Sequence, residues 1–360
     1  MLKVGCIGPL LSGKTTLFKA LTFGHSQTAK TQAGHLEIHR GVVKVPDQKL
    51  FQLAQLYNPK KISQVEIEYF DLVGTLESEK KQEGEKTAIL RECDELVAVC
   101  GLFQNFSGLE QIQAFARKEM EKVLADLIVL DYILVDKRLD RIRKQSKGIP
   151  VAQSKQEADL LHKCLEGLDK QIPCRKISFT PEEEKLLRGY ALLTAKPILI
   201  IVNIDEKEIS CSSEIEKKLE GFAKEQGFMA LAVCAEMELE LSELEEQERV
   251  DFMKDLGLSV PAAHRVAEAS YQLMNLITFY TANQNEVKAW AIPKSSKALQ
   301  AAGTVHSDME KGFIKAEVIN IDRLFQLGSM HAAKEKGEVG LHGKEYVVQE
   351  GDVIFFRFNP

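Results

Sequence analysis

The sequence has no CxxC pair among its seven cysteines and no HExxH or comparable spacing among its eight histidines. The thiols (Cys6, Cys93, Cys100, Cys164, Cys174, Cys211 and Cys234) are scattered. That pattern excludes a readable zinc motif and argues for reduced cytosolic thiols over a disulfide framework. No segment reaches the roughly 18–20 apolar residues of a membrane span. The start, MLKVGCIGPLL, is broken by Gly5 and Gly8 and is too short for a secretory signal. The expected compartment is the cytoplasm, with no membrane partner. A net charge of −6 offers no overall basicity, so any contact with nucleic acid must come from a local patch. No DNA-specific motif, internal repeat or low-complexity tract is present. The balance, 44 % hydrophobic and 28 % charged over 360 residues, is that of a globular protein of two or three domains.

Short apolar runs recur, and each ends at a polar cluster: LKVGCIG (2–8), VEIEYFDLVG (65–74), LVAVCGLF (96–103), PILIIVNI (197–204) and MALAVCA (229–235). Runs this short and rich in Val and Ile read as strands. Helical patterns such as TTLFKALTFG and EIEKKLEGFAKEQG lie between several of them. Strand–helix alternation predicts a mostly parallel α/β sheet, with ligands at the carboxyl ends of its strands.

The interval 104–196 is too long for one crossover. Ala116, Met120, Val123, Leu127, Leu130 and Leu134 step by alternating fours and threes, and a second series follows at Ala158, Leu161, Leu165, Leu168 and Ile172. Separated by Gly148-Ile149-Pro150, the two predict an antiparallel helical coiled coil. Lys137, Arg138, Arg141, Arg143, Lys144 and Lys147 crowd its tip, where contact with RNA phosphate or a merely solvated face are both open. From about residue 280, EVKAWAIP, GFIKAEVI and KEYVVQEGDVIFFRF predict a small mixed α+β domain. The resulting boundaries are 1–107 with 190–276 for the first domain, 108–189 for the helical insertion and 277–360 for the last.

Gly8-x-x-x-x-Gly13-Lys14-Thr15, after one strand and before one helix, is a P-loop in full. Its glycines let backbone N–H groups turn towards phosphate, Lys14 is placed to reach the outer phosphates, and Thr15 to hold Mg²⁺. Asp71-Leu72-Val73-Gly74 closes a strand in DxxG form. Asp71 is placed to hold a Mg²⁺-bound water, and Gly74 to offer an N–H to the terminal phosphate. Asn203-Ile204-Asp205-Glu206 stands where GTPases carry NKxD. With Ile204 for Lys and the longer Glu206 for Asp, both guanine and adenine are open.

These motifs in this order resemble the Obg-like ATPase (YchF) family. The resemblance is carried also by GVVKVPDQKLFQLAQL (41–56), ELSELEEQERVDFMKDLGL (240–258) and QAAGTVHSDMEKGFIKAEVI near the end. It implies a Ras-like P-loop NTPase domain, an inserted coiled coil and a C-terminal β-grasp (TGS) domain. It further implies ATP in preference to GTP, Mg²⁺, and association with ribosomes. On this chain Gly8, Leu11, Ser12, Gly13, Lys14, Thr15 and Thr16 would hold the phosphates, Thr15 and Asp71 the metal, and Asn203, Ile204 and Glu206 the base. Lys14, Asp71 and Gly74 would be the catalytic set.

Three features depart from the family. Leu10-Leu11-Ser12 replaces Pro-Asn-Val in the loop, His35 falls near the switch I threonine with Thr31 the nearest substitute, and TLESEKKQEGEK retains only Gly84 of a glycine-rich switch II. Thr75 occupies the position of the catalytic glutamine in Ras-like enzymes. The expectation is therefore a slow or partner-stimulated ATPase, with a non-hydrolysing scaffold and a GTP switch as alternatives. Partners are expected at the coiled coil and TGS domain. Residues 280–360 carry ten basic and ten acidic side chains, so recognition there would rest on shape and local charge. A monomer is favoured, with the oligomeric state open.

Overall fold

The computed structural model describes residues 1–359 except 25, 31–36, 73–79, 105, 107, 146–150, 257 and 259. Elements in the first part are β1 (Leu2–Ile7), α1 (Lys14–Leu21), β2 (Ser26–Lys30), β3 (Glu37–Lys44), α2 (Gln48–Tyr57), β4 (Lys61–Ser63) and β5 (Glu66–Leu72). Next come α3 (Lys80–Glu92), β6 (Glu95–Leu102), α4 (Leu109–Gln145), α5 (Val151–Asp169), α6 (Pro181–Arg188) and β7 (Ile198–Ile204). They are followed by α7 (Ser212–Gln226), β8 (Phe228–Val233), α8 (Ala235–Glu243), α9 (Glu246–Asp255) and α10 (Ala262–Leu273). The remainder is β9 (Leu276–Ala282), β10 (Glu286–Pro293), α11 (Ala298–Val305), α12 (Ser307–Lys311), β11 (Phe313–Asn320), α13 (Ile321–Leu327), α14 (Met330–Glu335), β12 (Gly340–His342) and β13 (Asp352–Phe358). These elements divide into two compact units, Leu2–Val43 with Glu68–Ala269, and Lys44–Ile67 with Ser270–Pro360. No helix of the described residues is long and apolar enough to cross a membrane.

The larger unit holds a seven-stranded sheet in the order β2-β3-β5-β1-β6-β7-β8. β1, β6, β7 and β8 run parallel, and β2 and β3 form an antiparallel pair at one edge. β6 and β7 are buried along almost their whole lengths, which their continuous Val, Ile and Leu runs require of strands covered on both faces.

α4 does two jobs along its 37 residues. It packs on β6 and α7, and it pairs with α5. Ala116, Met120, Val123 and Leu127 are buried in the same apolar cluster as the strands, and the cluster continues through Val135 and Leu139 to Leu160, Leu161, Cys164 and Leu168. The Arg138–Glu157 ion pair (2.7 Å) bridges the two antiparallel helices. The heptad thus marks real burial, and its first half lies in the cluster shared with the sheet and α7. Its last position, Ile172, lies beyond α5 and is 38 % exposed. Of the basic tip, Lys147 lies outside the described residues.

Buried in this unit, the Asp131 carboxylate of α4 accepts from Arg91 Nη1 (2.8 Å), the Leu193 N–H (3.1 Å), the Thr194 N–H (2.7 Å) and the Thr194 hydroxyl (2.8 Å). Arg91 belongs to α3, so one buried anion joins α3, α4 and the turn before β7. Removing one partner of such a pair costs about 3–5 kcal/mol, because the other charge is left buried.

The smaller unit is a six-stranded sheet, β12-β11-β13-β9-β10-β4, covered on both faces. One face (Ile277, Phe279, Ile292, Val318, Ile354) packs on Ala298 and Ala301 of α11. The other (Tyr280, Val287, Ile319, Val353) packs on Leu324 of α13 and on Leu50 and Leu53 of α2. Residues 44–67 therefore belong to this unit, whereas the sequence reading places them in the nucleotide domain. β4 adds as an edge strand parallel to β10, Lys61 opposite Glu286. Asp47 caps α2 by accepting from Leu50 N (2.9 Å), and its other oxygen accepts from Tyr280 Oη (2.9 Å). Of the strand-like run 344–358, only Asp352–Phe358 is a strand, and Val347 makes an isolated bridge to Lys297.

Leu53→Ala leaves a cavity in the smaller unit, and such truncations cost about 2–5 kcal/mol. Hydrogen exchange should show the loss of protection in β9–β11 and β13. Loss confined to β1, β6 and β7 would contradict the assignment of α2.

Candidate nucleotide-binding site

β1 delivers the chain to Gly8, and α1 begins at Lys14. Gly13 caps α1 in the left-handed region (φ 82°) without a side-chain acceptor, so the first N–H groups of the helix face the loop. Leu11 also has positive φ (63°) and is 93 % exposed. Substituting Leu for a smaller loop residue therefore displaces nothing in the core. Ser12 is buried, and its Oγ has no hydrogen-bond partner.

Three polar side chains converge beside the loop. Lys14 Nζ donates to the Leu72 carbonyl (2.9 Å) and lies 3.9 Å from Asp71 Oδ1. Thr15 Oγ1 donates to Asp71 Oδ2 (2.8 Å). Asp71 is fully buried near the end of β5, and its Oδ1 makes no hydrogen bond. Lys86 of α3 is buried too; desolvation, then the charge of Lys14, lowers its pKa. Cys6 on β1 is held as a thiol by burial and, secondarily, by the Asp71 charge.

Asn203 sits at the end of β7 opposite Gly101 of β6. Its Nδ2 donates to the Ser12 carbonyl (3.0 Å), and its Oδ1 accepts from Ala235 N (2.9 Å). A Cβ on Gly13 would lie 2.0 Å from Asn203 Nδ2, so this approach demands glycine on steric as well as torsional grounds. Ile204 turns into the apolar core, and Glu206 is exposed at the head of a short turn. Of the candidate base-reading residues, only Asn203 is thus brought against the P-loop. Gly74, Thr75, Thr31 and His35 lie outside the described residues.

Two side chains at this site carry no motif. Phe103 follows β6, is 54 % exposed, and its ring edge is 3.6 Å from where a Cβ on Gly13 would stand. Its signal in the sequence is an aromatic residue just past a strand end. His39 Nδ1 lies 3.3 Å from Asp71 Oδ2, and its Nε2 lies 3.4 Å from Glu37 Oε1.

This architecture of a P-loop sheet, a long helical insertion and a second sheet has full-length counterparts. The "Ribosome-binding ATPase YchF" of Bacillus subtilis is 36 % identical over 99 % of both chains, and that of Escherichia coli O157:H7 is 34 % identical over 99 % of both. The chain belongs to the YchF family. Residues 3–204 match a family described as "50S ribosome-binding GTPase", and residues 276–359 match the YchF-GTPase C-terminal family, described as a protein of unknown function. In fold, this YchF-family chain matches the Schizosaccharomyces pombe YchF GTPase with a TM-score of 0.78 at 24 % identity, covering 99 % of this chain and 97 % of that one. It also matches a GTP-binding protein from Pyrococcus horikoshii with a TM-score of 0.56 at 17 % identity, covering 99 % and 100 %. The C-terminal family match omits α2 and β4, which the structure adds to that unit.

Asn203→Ala removes one donor and one acceptor and leaves the Ser12 carbonyl and the Ala235 N–H unpaired. Each buried orphan costs about 1–3 kcal/mol. Urea titration of the nucleotide-free protein should register that loss, and a fluorescent nucleotide should bind more weakly.

Proposed function

We propose that this chain is a Mg²⁺-dependent ATPase whose nucleotide state governs its association with the ribosome. The convergence of Lys14, Thr15 and Asp71 beside an open-ended helix start carries the reading. The residues present fit the group: Ser12 Oγ and Asp71 Oδ1 are buried polar atoms without hydrogen bonds, and a triphosphate with its cation would supply them with partners. Thr15 and Asp71 would hold Mg²⁺, which when bound supplies charge neutralisation at the phosphate oxygens. Lys14 would move from the Leu72 carbonyl to the outer phosphates. The N–H groups from Ser12 to Thr16 would hold the phosphates, with Asn203 keeping the loop in shape. Gly74 would offer its N–H to the terminal phosphate.

No glutamine stands at position 75, so catalysis would rest on positioning and charge neutralisation, with slow turnover expected in the absence of a partner. The names of the relatives support ribosome binding, and the basic side chains of α4 suit it. Lys137, Arg141, Arg143 and Lys144 are exposed, and a cavity of about 1160 Å³ between α3, α4 and α6 is edged by Lys137, Arg138 and Arg141 over Leu130 and Leu134. The C-terminal unit would complete the partner surface.

A GTP reading has support in the description of the family matched by residues 3–204 and in the name of the S. pombe YchF GTPase. One feature favours adenine: Ile204, in the place of the guanine-site lysine, is buried. Glu206 would tolerate either base from its exposed turn.

Lys14→Ala should lower phosphate release from Mg²⁺–ATP by about 10²–10³-fold, the scale of removing one preorganised electrostatic contact. Release measured with and without ribosomes checks this. Wild-type release no greater than that of the variant under both conditions would leave a scaffold in place of an enzyme. Competition of ATP against GTP for a fluorescent nucleotide separates the two bases.

A further inference from the structure

We propose that His39 gives the cation site a nitrogen donor and so biases it towards first-row transition-metal ions over Mg²⁺, relative to an all-oxygen P-loop site. The inference rests on the nucleotide-binding reading above.

The period of two in β3 puts Glu37 and His39 on the same face of the strand, and that face reaches Asp71 on the neighbouring β5. Asp71 Oδ2 is then shared, with Thr15 Oγ1 at 2.8 Å on one side and His39 Nδ1 at 3.3 Å on the other. In an octahedral site with bonds of about 2.1 Å, adjacent ligand atoms stand about 3 Å apart. Both contacts are hydrogen bonds here, and both separations also match neighbouring ligand atoms around one carboxylate corner.

The ring is held for that role. It is mostly buried, its Nε2 faces Glu37 Oε1 at 3.4 Å, and the Phe18 ring packs near it with centroids 6.1 Å apart. A carboxylate at one ring nitrogen selects the tautomer that leaves the other as ligand. Imidazole suits first-row transition ions such as Fe²⁺ and Zn²⁺ better than Mg²⁺, which a hydroxyl, a carboxylate and phosphate oxygens suit well; Mn²⁺ is the paramagnetic probe of the nitrogen.

Among the described residues no group of three or more His, Cys, Asp or Glu side chains could hold a metal. The three donors here are thus incomplete without phosphate oxygens, and the cation should bind together with nucleotide. Glu37 has a positioning role through the ring.

The experiment is electron spin-echo spectroscopy of the full chain with Mn²⁺ and ADP, at natural abundance and with ¹⁵N-histidine. A fluorescent ADP analogue reports nucleotide binding in parallel. The expected result is modulation from a ligated imidazole nitrogen, changed by the label and lost in His39→Gln. The Mn²⁺-over-Mg²⁺ affinity ratio with ADP should also fall by about tenfold or more in that variant. Bound Mn²⁺–ADP without nitrogen modulation would overturn the proposal and leave nucleotide binding intact. Histidine modulation that persists in His39→Gln would also overturn it, by assigning the donor to another histidine. Wild-type protein that binds no nucleotide would overturn both readings. Labelled wild-type protein decides the ligation even if the variant folds poorly.

Discussion

One buried amide organises the nucleotide site. Asn203 sits at the last position of β7 paired with β8, with its two polar atoms committed to different segments of backbone, the P-loop at Ser12 and the start of α8 at Ala235. A side chain with one donor and one acceptor end suits this position; aspartate would set a carboxylate against the Ser12 carbonyl. Gly13 must then lack a Cβ, and Gly101, opposite Asn203, must leave room for the Ser12 backbone. The loop's shape is therefore imposed from the sheet behind it, which explains how Leu10 and Leu11 can occupy its exposed side.

Behind the loop, charge is managed by burial and pairing. Asp71 draws in Thr15, His39 and, at longer range, Lys14, so that the anion which would face a cation already stands among donors. Asp131 does the equivalent work at the root of the helical insertion, where its four contacts satisfy it without any ligand. The first constellation leaves a carboxylate oxygen over; the second leaves none. That difference separates a site from a structural pin. α3 touches both regions, with Lys86 close enough to feel Lys14 and Arg91 bound to Asp131.

What could be read from the sequence was mostly local. The P-loop announces itself because its chemistry lies within eight consecutive residues, and the strands around it because a doubly covered strand is apolar at every position. The helical pair was legible from its spacing, yet spacing alone does not say which surface a seam meets, and Ala116 to Leu127 lie in a cluster that also holds strand and α7 residues. α2 and β4 were invisible as parts of the second unit, because β4 pairs with β10 more than 200 residues away and no local pattern encodes that distance. His39 was missed for a related reason. Its meaning depends on Asp71, 32 positions on, and on a strand pairing between them. Gly74 and the switch I positions lie outside the described residues, so their roles rest on the family resemblance.

The excursion from 44 to 67 bears on how the chain is made. Its neck is closed by Val45 N donating to the Val65 carbonyl at 2.8 Å, and its two ends continue into β3 and β5. The partners of Leu50 and Leu53 emerge only after about 200 further residues, a delay of about 10–40 s at 5–20 residues per second. During that interval the apolar side chains of residues 48–57 have no sheet to cover them. Birth order thus makes the packing of this segment wait for β9.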